Sequence, residues 1–439
     1  MPSSKPISKD KIIEELSFQN YISDEKERNE IINKCSAVLD AQIAKTYDQK
    51  EQVEHTLNFI KELWNKYDCK EIADIYSNFI KIEEALYGLE RKEENGEGYR
   101  DHFIHMFNTF TFGLRIISFL LDRLDSTKAK QLFKIDDENL KEKGLPFSSN
   151  YSYKQRLFYL WTLIATFHDI AIPIQHLTKI GEGINRFVQE FGWLITDPSV
   201  SMRYFDSSQL YHYFCLLSSI YGGKLRLEDN GTKYLRSKRS QDYLTKILGR
   251  EFDLRNHGVL SGFFMTKIIE EIFLLDRGSK YHLIPDQFNT YTEYVLEQDI
   301  ARAALAISLH SMKEEQKISK IFPIDFSTFP LTFLLILSDE LQEYLRWEGT
   351  SIKRDMKFNY QPKLEVKVKP ESFSIRIKIL FSLDGKQEEY IKKRANVINK
   401  KIGINKDVKD IDAASEVIGN VVKENLEKKL NLGDYFNLN

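Results

Sequence analysis

Cysteine is scarce in this chain: Cys35, Cys69 and Cys215 are the only three in 439 residues, and they are widely spaced. Without a CxxC pair they exclude a disulfide framework and a zinc ribbon. They fit a reducing cytoplasm. An excess of charge of one sign is also missing, with 63 basic against 65 acidic residues. That balance disfavours a globally basic nucleic-acid binder but leaves a local basic cleft open. The opening Met1-Pro2-Ser3-Ser4-Lys5 has no apolar leader. No uninterrupted run reaches the ~18–20 apolar residues that cross a bilayer, and Leu331 to Leu337 is far shorter. Internal repeats and low-complexity tracts are absent as well. The expectation is a soluble cytoplasmic protein with no membrane partner.

What is present is core-forming material. Hydrophobic residues make up 42% of the chain and aromatics 13%, enough for a large core. The length points to more than one domain. Helical spacing runs from about residue 9 to 92, as in Leu57, Ile60, Leu63 and Trp64 or Phe79, Ile82 and Leu86. A polar, glycine-bearing stretch, Lys92 to Gly98, reads as a linker. From Tyr99 to about Gly349 the chain reads as a dense helical bundle. Within it, Tyr221 to Arg250 carries Gly222-Gly223, Asp229-Asn230-Gly231 and the basic run Arg236-Ser237-Lys238-Arg239. This stretch reads as loops and a short helix between two bundle helices. The period then changes to two, with Leu364, Val366 and Val368 followed by Ile375, Ile377 and Ile379. That is a hairpin pattern, with two charged helices expected near 386–401 and 413–431. The expected architecture is mostly α: N-terminal helices over 1–95, a helical bundle over 96–350, and a small α+β domain over 351–439.

The bundle carries an unusual set of ionisable residues. His168 and Asp169 close the apolar run Leu157 to Phe167, where such groups stay only if paired or bound to metal. Four more candidates lie in or beside apolar segments: His105, His257, His310 and Asp339. In order they read H…HD…H…H…D, a set of imidazole and carboxylate donors suited to divalent transition metals once helices bring them together. Neighbours such as His168 and Asp169 share a metal only where the helix ends or bends, and Pro173 follows closely. A carboxylate has two oxygens, so Asp169 is able to bridge two ions ~3.5–4 Å apart. His102, three residues before His105, is the alternative ligand on that helix. A buried His–Asp hydrogen bond that only satisfies two core groups is the bland alternative for the central pair.

This ordered set resembles the HD superfamily of metal-dependent phosphohydrolases, in the form with two histidines between the HD pair and the last aspartate. The resemblance covers roughly residues 99–347. It implies an HD-type helical bundle and one or two divalent metal ions per chain (manganese, iron or magnesium). Histidine-rich ligation leans away from magnesium. By the resemblance, His105, His168, Asp169 and Asp339 hold a first ion. Asp169 bridges to a second, held also by His257 and His310. The implied activity is hydrolysis of a phosphoester or phosphoanhydride bond in a small-molecule substrate, a nucleotide or cyclic nucleotide. Asp169, His257 and His310 are its catalytic candidates, one of the histidines serving as general acid if only one ion binds. Arg100, His102 and Arg346 are candidate phosphate or substrate contacts.

The sequence also departs from the family. Ile172 stands where a lysine often follows the HD pair, and no GYP motif or double histidine accompanies His257 or His310. A cyclic di-GMP specificity is therefore not expected. Two rival readings remain at this stage. One is an HD-type nuclease on single-stranded nucleic acid, motivated by the basic run. The other is a non-catalytic nucleotide-sensing or scaffolding protein, motivated by the flanking regions. Self-association into a homo-oligomer stays open. His176, about two helical turns past the HD pair, is placed to face the cleft or to stand as a partly exposed histidine, the reading favoured here; His55, His212 and His282 have no supporting context, and the aromatic cluster Phe107, Phe110 and Phe112 reads as core.

Overall fold

The computed structural model describes residues 7–43, 49–66, 69, 71–90, 102–133, 135, 152–175, 213–214, 217, 244–252, 256–274, 293–312, 329–342, 363–369 and 374–380. Among these the protein is mostly helical. Four helices come first: α1 (Lys9–Leu16), α2 (Glu25–Ile43), α3 (Gln49–Asn65) and α4 (Glu71–Glu90). The bundle follows with α5 (His102–Leu121), α6 (Ser126–Phe133), α7 (Tyr153–Phe167), α8 (His257–Leu274), α9 (Glu293–His310) and α10 (Pro330–Gln342). Two antiparallel strands, β1 (Lys363–Lys369) and β2 (Ser374–Leu380), close the described chain.

The start of α7 follows from sequence. Ser152 caps it, its hydroxyl accepting from Gln155 N while the Gln155 side chain accepts from Ser152 N. This reciprocal box satisfies two of the amide donors that every helix start leaves over. The body of α7 is buried without a break from Arg156 to Phe167, and in α5 only Phe119 is not buried. Each large apolar side chain so buried contributes about 1.5–3 kcal/mol.

Two helices, His102–Leu121 and Tyr153–Gln175, are long and apolar enough on average to cross a membrane. This differs from the expectation based on uninterrupted runs, because scattered histidines and threonines break a run without lowering its mean. Packing consumes that apolar surface: 94% of each window is buried inside the protein.

α5 is the central element, contacting α1, α3, α7 and α10, while α9 packs on α7, α8 and α10. Gly113 sets the α5–α7 distance, since a Cβ there would fall within the indole of Trp161. The Trp161 Nε1 donates to Phe110 O at 2.9 Å, fixing the ring across the interface. A stacked Tyr21–Phe158 pair, with centroids 5.1 Å apart, joins the N-terminal helices to α7. Two buried ion pairs tie helices that are distant in sequence. Arg115 donates to Glu15 Oε2 through Nε at 2.8 Å and Nη2 at 2.6 Å, and Arg156 grips both oxygens of Asp299. One continuous apolar core runs from α1 to α10.

The hairpin matches the period-two pattern. Its register opposes Leu364 to Ile379, Val366 to Ile377 and Val368 to Ile375, so the apolar positions share one face. The connection at 370–373, the expected linker at 92–98, the basic run at 236–239 and the two charged helices beyond the hairpin lie outside the described residues.

Candidate metal centre

The HD pair sits where α7 stops. His168 is the C-cap residue, still in the right-handed helical region, with its N–H on Ile164 O. After it the chain tightens into i→i+3 bonds, Ile170 N to Phe167 O and Ile172 N to Asp169 O. This is a common way to close an α-helix. Pro173, which lacks an N–H, lies in the first turn of the short helix over 172–175, where it costs no hydrogen bond. The tightening lets two consecutive side chains face one point. Two outside groups hold the turn. The Tyr76 hydroxyl donates to Thr166 O at 2.7 Å from α4, and Ala171 N donates to Ser261 Oγ at 3.0 Å on α8.

Four other helix positions converge on it. His105 Nε2 from α5 lies 3.2 Å from His168 Nε2, 3.4 Å from Asp169 Oδ2 and 2.7 Å from Asp339 Oδ1 of α10. His168 Nε2 is 3.5 Å from Asp169 Oδ2 and 3.8 Å from Asp339 Oδ1. On the opposite side, Asp169 Oδ1 is 3.7 Å from His257 Nε2 of α8 and 3.8 Å from His310 Nε2 of α9. The donors thus form two groups that share Asp169. One is His105, His168, Asp169 and Asp339; the other is Asp169, His257 and His310. Within each, one ligand atom per residue lies within 4.8 Å of the rest. The two Asp169 oxygens face different groups.

The donor chemistry fits a divalent cation. His168 Nδ1 donates to Ala165 O at 3.0 Å and His310 Nδ1 donates to Ile307 O. Each ring's tautomer is thereby set with Nε2 as the bare nitrogen, the arrangement that orients metal-ligating histidines. His310 Nε2 is buried and takes no hydrogen-bond partner among the described residues. A buried acceptor left in that state is costly, and a cation between it and Asp169 removes the cost.

Burial pushes the His168 imidazole below its usual range, against the upward pull of Asp169 and Asp339. Burial alone would raise the Asp169 carboxyl, but the facing imidazoles, His168 foremost, hold it well below the usual carboxylate range. A neutral imidazole beside an ionised carboxylate is the protonation state that binds metal. The site is sealed on one side: the His105, His168 and His310 side chains are at most 1% exposed. Its open side carries His257, 26% exposed, and Asp339, 14% exposed.

The cluster takes His105 rather than His102. His102 faces the other way, its Nδ1 2.6 Å from Glu83 Oε1 of α4 in a buried pair. Arg100, Arg346, His176, His212 and His282 lie outside the described residues, and His55 meets Glu51 at 3.6 Å on its own helix. Sequence reasoning missed Asn256, Ser261 and Ser311, which brace the centre through hydrogen bonds between helices. Their one visible signal was Asn256 directly before a helix beginning at His257, a position that favours a capping side chain. Comparison of the chain with protein-family models, with curated proteins and with solved structures gives no match.

Proposed function

We propose that this protein is an HD-type metal-dependent phosphohydrolase acting on a small phosphate ester or anhydride, in a nucleotide or cyclic nucleotide. The observation that carries the reading is the pair of donor groups meeting at Asp169, whose six residues together follow the order H…HD…H…H…D. Divalent ions at such a centre would polarise phosphoryl oxygens and lower the pKa of a water between them.

The chain's own contributions follow from geometry. His105, His168 and Asp339, with one Asp169 oxygen, would hold the first ion. The other Asp169 oxygen, with His257 and His310, would hold the second. Substrate is to enter from the side of His257 and Asp339, the two donors that water reaches. With both groups filled, the Nε2 atoms of His257 and His310 act as ligands. With only the first group filled, His257 instead holds a proton at Nε2 toward the leaving oxygen. The hairpin is read as part of a small α+β unit over 351–439, and its first strand lies against α5.

The test is a screen of nucleoside mono-, di- and triphosphates and cyclic nucleotides with Mn²⁺ or Fe²⁺, run beside Asp169→Asn. Phosphate release or ester cleavage by the wild type, lost in the variant, supports the reading. Cleavage that survives in Asp169→Asn, or no cleavage of any phosphate by metal-loaded protein, overturns it.

A further inference from the structure

The second donor group is assembled from two helix ends. His257 is the first residue of α8 and His310 the last of α9, with ring centroids 5.4 Å apart. A single buried amide joins those ends. Asn256 Oδ1 accepts from Gly258 N at 3.1 Å and Val259 N at 3.3 Å, capping α8. The same oxygen accepts from the Ser311 hydroxyl, just past the end of α9. Asn256 Nδ2 donates to Ser311 O at 3.0 Å and to Glu251 Oε2 at 3.0 Å. Gly258 N donates to Ser311 Oγ as well, at 3.0 Å.

The clamp needs the helices in close contact. A Cβ on Gly258 would lie 2.7 Å from Ile307 O and 3.0 Å from His310 Cε1. Glycine is therefore required here by approach.

From this geometry we infer that Asn256 is a positioning residue for the second metal ion: its amide fixes the separation of His257 and His310 without touching the ion. The inference rests on the two-ion reading above and adds a residue to it. The first donor group is not built on the clamped helix ends: His105, His168 and Asp339 stand on α5, on the end of α7 and on α10, and only Asp169 belongs to both groups. Loss of the clamp should thus separate the two ions energetically. Partners outside the ligand sphere typically change metal affinity by about 10–100-fold.

The variant that isolates the effect is Asn256→Ser. Serine still caps a helix start but lacks the amide N–H groups that reach Ser311 and Glu251. Ser311→Ala, which deletes the hydroxyl between Asn256 and Gly258, is the second variant and leaves the cap in place. Full-length protein stripped of metal is titrated with Mn²⁺ and followed by EPR, which distinguishes an isolated ion from a spin-coupled pair. The expected result is an unchanged affinity for the first ion in both variants. The second ion should bind about 10–100-fold more weakly, with the coupled signal shifted to higher Mn²⁺. Equal weakening of both ions, or a second ion bound as in the wild type, overturns the inference while the two-ion reading stands. A wild-type chain that takes one ion and never shows a coupled signal overturns the two-ion reading, and this inference with it.

Discussion

His105 Nε2 and His168 Nε2 face each other at 3.2 Å across the α5–α7 interface. With His168 Nδ1 committed to Ala165 O, its Nε2 is a lone pair pointing at its neighbour. Two imidazoles so placed, with Asp169 and Asp339 beside them, are held together best by a cation. A metal that binds only the folded state adds stability of about 2.7 kcal/mol at a concentration of 100 times its Kd. Thermal unfolding with and without Mn²⁺ should therefore show a metal-dependent rise in Tm. His105→Ala should abolish most of that rise, and an unchanged rise in that variant would argue against the assignment.

His102 should behave differently from His105, although only one turn separates them. Its partner is Glu83, and its loss leaves a buried carboxylate poorly compensated. The expected outcome is that His102→Ala loses folding stability yet keeps its metal content, whereas His105→Ala loses metal. Elemental analysis of the two purified variants checks the contrast.

Acid should weaken the metal-free protein. The folded His168 imidazole lies below its ordinary value of 6.5, and the folded Asp169 carboxyl lies well below its ordinary 3.8. In both cases the unfolded chain binds protons that the folded chain refuses, so stability falls as pH falls. The His168 part begins to be lost as pH drops through 6.5, and the Asp169 part is lost below 3.8. Denaturant midpoints of chelator-treated protein should thus decline between pH 8 and pH 5. A flat profile would contradict the assigned protonation states.

The α7–α9 contact supplies a stability test away from the metal. Arg156→Ala strips Asp299, which is fully buried, of its two-pronged partner. Breaking a buried pair of this kind costs about 3–5 kcal/mol. The paired change Arg156→Met with Asp299→Leu should recover much of that loss, as read from urea unfolding.

Gly113→Ala is predicted to cost about 1–3 kcal/mol by overpacking against Trp161. Because the same contact sets the spacing of α5 and α7, metal affinity should fall with it. A variant as stable as the wild type would mean that the indole moves aside easily.

Much of this was legible in the chain. His168 and Asp169 stood out because ionisable groups rarely close a wholly apolar run, and the hairpin showed in the two-residue alternation of Val366, Val368, Ile375 and Ile377. The sequence favoured His105 over His102, three residues apart on one helix; what removes His102 from the cluster is Glu83 of another helix. Asn256 showed only as a capping residue and Ser311 not at all, because small polar residues acquire such a role only when helices distant in sequence meet. The apolar character of α5 and α7 was underestimated for a related reason. Their polar residues are few, and several are satisfied by a tertiary partner or by the helix itself, as Thr162 and Thr166 are by Phe158 O and Thr162 O.

Metal content tests the central claim most directly. Protein purified without chelators and shielded from air should carry up to two transition-metal ions per chain by elemental analysis, and the Asp169→Asn protein prepared alongside should carry few or none. Metal-free wild type that stays metal-free after incubation with Mn²⁺ and Fe²⁺ would contradict the account.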